Sequence, residues 1–193
     1  VRGMNATGDN VSSSGFFARA SGRNTIIKHL NIKGRVTPGV TSNWDMVNCG
    51  GIVGRMYNGT CIAFCSFEGT ISATHPNNGK VHGGGIAGLV GISGSAGKII
   101  SCYSVVTEMS LTGTAIKGGI AGYTYNDTTI QGCYWQELAG IRDDSPCGTI
   151  ENGGGINVGY NGHFTDAVGA NDYDVINAMN TYGADYDYQW QAG

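Results

Sequence analysis

The sequence predicts an all-β fold: a right-handed parallel β-helix or closely related β-solenoid of three to five rungs, closed by a short C-terminal capping helix. Two observations predict it. Gly50-Gly51-Ile52-Val53-Gly54 returns as Gly84-Gly85-Ile86-Ala87-Gly88 and again as Gly118-Gly119-Ile120-Ala121-Gly122, 34 residues apart each time. A fixed period of that size marks stacked repeats. A second register runs beside the first: Ile27-Lys28-His29-Leu30, Ile62-Ala63-Phe64-Cys65, Ile99-Ile100-Ser101-Cys102 and Ile130-Gln131-Gly132-Cys133. Leu30, Cys65, Cys102 and Cys133 therefore share one slot, at intervals of 35, 37 and 31 residues. The glycine- and serine-rich tip at 91–97 explains the uneven spacing, because extra residues there lengthen a loop without moving a strand register.

Residues 1–193 read as one domain. Its first part, 1–49, is a degenerate N-terminal rung in which Gly15-Phe16-Phe17-Ala18 stands where Gly51-Ile52-Val53-Gly54 stands later. Residues 50–140 hold three clear rungs, each reading strand, tip, strand, bend, strand. The glycine motif turns one branched side chain inward, so Ile52, Ile86 and Ile120 are expected to form a single interior column. Leu30, Cys65, Cys102 and Cys133 form a second, and Ile32, Phe67, Ser104 and Trp135, two positions on, supply the next inward residues. Gly69-Thr70-Ile71-Ser72 and Met109-Ser110-Leu111-Thr112 alternate apolar with polar, the period of a strand. Tyr57-Asn58-Gly59 and Pro76-Asn77-Asn78-Gly79 carry turn chemistry that tolerates positive φ.

Residues 141–193 depart from the rule. Asp143-Asp144-Ser145-Pro146 marks a loop and Gly153-Gly154-Gly155-Ile156 a weaker echo of the repeat. The stretch from Asp172 to Tyr182 reads as a short helix. Asn171 or Asp172 caps its amides, and Val175, Ile176, Met179 and Tyr182 share one face. An open stack exposes its core and strand edges, so this helix is expected to cover them.

Composition narrows the function classes. Glycine accounts for 34 of 193 residues and proline for 3, with no glycine at every third position, which excludes collagen. Charged residues are 13%, against roughly 25% in ordinary domains, so Ser, Thr, Asn, Gly and Tyr must carry the surface. A net charge of −3 without a basic cluster lacks the footprint of a nucleic-acid binder. No apolar run reaches the ~18 residues of a membrane span. The chain begins at Val1 in mid-pattern, as a mature fragment or an excised part of a longer polypeptide with further domains would.

Cys65, Cys102 and Cys133 replace leucine in a core slot and read as free buried thiols. Cys49, Cys61 and Cys147 occupy non-equivalent positions, and their spacing fixes no pairing among them. No Cys-x-x-Cys or paired Cys/His spacing suggests zinc, and no cofactor is expected.

Residues able to carry chemistry are sparse. Three residues after the shared slot stand Lys33, Glu68, Val105 and Gln136, an acid and a base on adjacent rungs that suit a surface ion pair. His29, His75, His82 and His163 fall in four unrelated slots and read as solvated or locally bonded. Asp166, Asp172, Asp174, Asp185 and Asp187 lack EF-hand spacing and read as a capped, solvated tail. Four N-glycan acceptor patterns, at Asn5, Asn10, Asn58 and Asn126, read as coincidence. The tyrosines are the best binding candidates. Asn31, Ser66, Tyr103 and Tyr134 follow the shared slot by one position and are expected to face outward, with Tyr57, Tyr123 and Tyr125 near the tips. Tyrosines exposed on neighbouring rungs make flat amphipathic platforms for sugar rings or a protein partner.

These motifs resemble the GLUG-motif repeat family of bacterial secreted and surface proteins. The resemblance is carried by Gly51-Ile52-Val53-Gly54 with Asn58-Gly59-Thr60 and Cys65, by Gly85-Ile86-Ala87-Gly88 with Cys102-Tyr103-Ser104, and by Gly119-Ile120-Ala121-Gly122 with Gly132-Cys133-Tyr134-Trp135. Val175-Ile176-Asn177-Ala178-Met179-Asn180 stands where the family has a short closing helix. The likeness spans about residues 15–182, departing from the pattern at Leu30 and the enlarged tip at 91–97. It implies a β-helical, extracellular or cell-surface repeat region, often within adhesins, and brings no shared catalytic residues. The expected function is thus a non-enzymatic module for adhesion or ligand binding, or a stalk, with a glycan or a surface protein as partner. A carbohydrate-active β-helix enzyme (lyase or hydrolase) and a self-assembling structural subunit are the alternatives.

Overall fold

A computed structural model describes residues 1–9, 12–39, 45–91, 96–125, 128–136, 138, 141, 147–150, 157–158, 162–163, 176–177, 179–181, 184 and 189–191. Its chain winds through strands in a repeating order of four. The first winding holds β1 (Arg2–Asp9), β2 (Ser13–Ser14), β3 (Phe17–Ser21) and β4 (Ile26–Lys28). The second holds β5 (Asn31–Gly39), β6 (Met46–Gly50), β7 (Val53–Tyr57) and β8 (Cys61–Ala63). The third holds β9 (Ser66–Thr74), β10 (Lys80–Gly84), β11 (Ala87–Val90) and β12 (Lys98–Ile100). The fourth holds β13 (Tyr103–Thr112), β14 (Thr114–Gly118), β15 (Ala121–Thr124) and β16 (Thr129–Gln131). Beyond them come β17 (Tyr134–Trp135), β18 (Cys147–Ile150), β19 (Asn157–Val158) and β20 (Gly162–His163).

Strands of like position pair in parallel to make four walls. Wall A is β1-β5-β9-β13-β17-β20, wall B is β2-β6-β10-β14, wall C is β3-β7-β11-β15-β18 and wall D is β4-β8-β12-β16-β19. The fold is a parallel β-solenoid, with a fourth strand per winding where the sequence reads three. The repeat hides that strand because β6, β10 and β14 end on the first glycine of the motif, so two walls meet inside one sequence block. Gly51-Ile52 is then the tight bend from wall B to wall C, as are its repeats.

The interior columns hold. The amide of Ile52 donates to Ile86 O at 3.0 Å and that of Ile86 to Ile120 O at 2.9 Å, and all three side chains are fully buried. Each glycine of the motif has its own steric reason. A Cβ on Gly51 or Gly119 would fall inside the ring of Phe67 or Trp135, and one on Gly85 would strike Ser104 Oγ. The aromatic residues of the next wall A strand thus lie flat on the glycine bend. Ser104, the one polar member of that column, is buried and donates to Gly119 O at 2.6 Å.

The last glycine of the motif closes a different gap. A Cβ on Gly54 would sit 2.5 Å from Ser14 N, and one on Gly88 would sit 2.6 Å from Gly54 O and 2.8 Å from Asn48 C. One on Gly122 would sit 2.8 Å from Gly83 N. Walls B and C therefore press together backbone to backbone, each wall C strand against the wall B strand of the winding before.

The shared slot sits just after a sharp corner. His29 (φ 60°), Phe64 (φ 51°), Ser101 (φ 52°) and Gly132 (φ 61°) all adopt the left-handed conformation, one position before Leu30, Cys65, Cys102 and Cys133. Only one of the four is glycine; continuous parallel hydrogen bonding, such as Phe64 N to Ile100 O at 3.1 Å, holds the others there. Each thiol then reaches the carbonyl two residues back, with Cys65 to Ala63 O and Cys102 to Ile100 O at 3.3 Å and Cys133 to Gln131 O at 3.4 Å. Burial pushes the Cys49 thiol up to about 12, and burial first, then its cysteine neighbours, pushes Cys102 up as well. All six cysteines are buried thiols, none of them in a disulfide. Ellman's reagent is therefore expected to find no fast-reacting thiol in the native protein and six in denaturant; an oxidised pair would leave fewer than six.

Helical residues occur at 176–177 and 179–181, where the short cap is predicted. Residues 92–95 of the enlarged tip, the loop at 143–146, the echo at 153–156 and the acids Asp166, Asp172, Asp174, Asp185 and Asp187 lie outside the described residues. So do Asn171, Val175 and Tyr182. Among the described residues no helix is long and apolar enough to cross a membrane.

Candidate functional site

The outer face of wall A is built by parallel register. Asn31, Ser66, Tyr103 and Tyr134 pair in sequence across β5, β9, β13 and β17, so their side chains form one outward ladder. Ser66 Oγ donates to Asn31 Oδ1 at 2.8 Å. That bond fixes the amide of Asn31, an exposed residue. Two residues along each strand, Lys33 pairs with Glu68, and their side chains make the expected surface ion pair at about half exposure (53% and 46%). Together with Arg2, Ile32 and Tyr103 these residues line a shallow groove of about 270 Å³.

The C-terminal segment packs against Tyr103, which lines that groove. Trp190 packs its ring edge-on to Tyr103, with centroids 5.1 Å apart, and tilts over Phe64 at 6.2 Å. Its indole N–H donates to Ser101 O at 3.0 Å. Asn180 clamps it from the helix: Nδ2 donates to Trp190 O at 3.0 Å, and Oδ1 accepts the Trp190 amide at 2.6 Å. Ser101 Oγ donates to Met179 O, and Met179 packs on Tyr134. The helical residues thus lie along the corner between walls D and A, against the third and later windings.

This placement corrects the reading of the tyrosines. Tyr134 faces outward yet is buried, because Met179 covers it, and Tyr103 is half-buried beside Trp190. The remaining three lie on wall C or at its tips. Tyr123 stacks on His82 at 4.7 Å with the planes 20° apart, Tyr125 packs edge-on to Tyr123 at 5.5 Å, and Tyr57 lies under the Arg55 guanidinium at 5.6 Å. The five form three separate clusters, because Tyr57, Tyr123 and Tyr125 lie one or three positions past the glycine motif, on or just beyond wall C, whereas Tyr103 and Tyr134 open wall A strands.

Of the histidines, His75 keeps to the expected local bonding and His82 departs from it. His75 is buried, and its Nδ1 accepts the amides of Asn77 at 3.2 Å and Gly79 at 3.0 Å, which shapes the tip where Asn78 takes φ 53°. His82 is buried in the seam between walls B and C, at 1% exposure. Its Nδ1 lies 2.9 Å from Asn48 Oδ1, while Asn48 Nδ2 donates to Ser12 O at 3.3 Å. The orientation of Asn48 makes His82 Nδ1 the donor and leaves Nε2 a buried acceptor without a partner. Burial, aided by nearby Lys80, lowers its pKa to about 4. His29 is exposed.

Trp190, Arg2 and the Asn48–His82 seam are functional or structural features that sequence reasoning missed. Asn48 and His82 lie one 34-residue period apart and were detectable as a polar ladder; Trp190 lies outside the repeat and offered no such signal. Among the described residues no three His, Cys, Asp or Glu side chains gather to hold a metal ion. The sequence matches no protein-family model, and neither a curated protein nor a solved structure matches it.

Proposed function

We propose that this chain is a non-enzymatic binding module of a bacterial surface or secreted protein, which takes a neutral or weakly charged glycan along wall A. The observation that carries the reading is the groove itself. A hydrogen-bonded Asn31–Ser66 ladder runs beside an aromatic pair, Tyr103 and Trp190. Sugar rings present apolar CH faces and hydroxyl rims, and such a combination serves both. The low charge of the chain and its likeness to GLUG-motif repeats point the same way. The extracellular location follows from that likeness and is part of the proposal.

A glycan-array screen tests it, with wild type beside Asn31→Ala and Trp190→Ala variants. Binding that falls about tenfold in both variants supports the groove. Binding that survives both changes refutes it. A second reading rests on Lys33 and Glu68, the acid and base in the same groove. A lyase or hydrolase would use Glu68 to move a proton at the scissile position. Depolymerisation of a polysaccharide by wild type that disappears in Glu68→Gln would replace the binding reading with this one.

A further inference from the structure

Wall C carries two arginines in direct register, Arg19 on β3 and Arg55 on β7. Like charges placed opposite one another on a sheet repel. Neither side chain forms a salt bridge among the described residues. Arg19 Nη2 donates to Ser12 Oγ at 3.2 Å, and Arg55 lies over the Tyr57 ring. Arg55 Nε is buried without a hydrogen-bond partner.

The repeat shows what lies next to it. Arg55, Leu89 and Tyr123 share one ladder on wall C, while Ser13, Asn48 and His82 share one on wall B. Tyr123 stacks on His82 across the seam. Arg55 therefore stands over Ser13, whose Oγ is also buried and unpartnered. Leu89 above offers no counter-charge. Two arginines in register, an orphaned Nε and an orphaned hydroxyl thus fall on one stretch of the seam.

We propose that this stretch binds a tetrahedral oxyanion, a sulfate or phosphate group, held between Arg19 and Arg55, the latter seated on the Tyr57 ring. A guanidinium fork offers two parallel N–H donors to such a group, and a shared anion removes the repulsion between the two arginines. The site lies on wall C, away from the wall A groove, and does not depend on it.

The test is calorimetric and NMR titration of the whole chain with sodium sulfate and with sodium phosphate, at ionic strength held constant with sodium chloride. Saturable binding that shifts the Arg19 and Arg55 Nε–H resonances is expected. Arg19→Gln and Arg55→Gln should each weaken it about tenfold, Arg55→Lys should weaken it although the charge remains, and Lys98→Gln on wall D should leave it unchanged. Circular dichroism of each variant confirms that it folds. A parallel arm compares a sulfated oligosaccharide with its unsulfated counterpart: tighter binding of the sulfated form assigns the group to a polymer, and equal weak binding of both assigns the site to the free ion. Sulfate and phosphate binding that is non-saturable, or that persists in an Arg19→Gln/Arg55→Gln double variant, overturns the proposal.

Discussion

Replacing Gly88 with alanine is expected to destabilise the protein by about 3 kcal/mol, near the top of the range for overpacked interiors. The new Cβ would stand 2.6 Å from Gly54 O and 2.8 Å from Asn48 C, with the Cys49 amide closer still. All three are main-chain groups of paired parallel strands, so no side chain can rotate away. Relief requires walls B and C to separate, and separation breaks the seam in the windings on both sides. Urea unfolding of Gly88→Ala beside Ile86→Val, which trims one methylene from the interior column at about 1 kcal/mol, measures the contrast. Equal midpoints for the two variants would show that the walls are not in backbone contact.

The second large effect is on pH. An imidazole titrates near 6.5 when unperturbed, whereas burial and Lys80 hold His82 at about 4. Above pH 6.5 the ring is neutral in both the folded and the unfolded chain, and its contribution to stability is complete. As pH falls below 6.5 the unfolded chain takes up a proton that the folded seam refuses. Unfolding free energy should then drop through the window from 6.5 to 4, by about 3 kcal/mol in total. His82→Asn continues the Asn48 ladder with a group that does not titrate. Urea unfolding at pH 7.5, 5.5 and 4 should show the wild type losing its advantage over this variant step by step. A constant difference across the three pH values would mean that His82 titrates normally and that the seam is wet.

Much of the fold was legible because parallel stacking writes structure into sequence at a fixed interval. Gly50, Gly84 and Gly118, and the slot shared by Cys65, Cys102 and Cys133, announce walls that must coincide. The surface ion pair was readable for the same reason, since Lys33 and Glu68 fall at equal offsets from that slot. The fourth strand of each winding was not, because it ends inside the glycine motif and shares its signal. Nor was the fate of Tyr134. An outward position on a ladder is set by local alternation, but its cover, Met179, comes from a segment 45 residues further on and outside the period. The left-handed corner escaped notice too: His29, Phe64, Ser101 and Gly132 share no chemistry, and the hydrogen bonds of neighbouring windings impose the conformation.

Methyl NOE spectroscopy on isoleucine-labelled protein probes the winding most directly. Stacked strands place equivalent residues about 4.8 Å apart and residues two windings apart at about twice that distance. Cross-peaks between Ile52 and Ile86 and between Ile86 and Ile120, with a far weaker one between Ile52 and Ile120, are the predicted pattern. Absence of both neighbouring cross-peaks, together with broadening of these methyls by a soluble paramagnetic probe, would contradict the solenoid and every site built upon its walls.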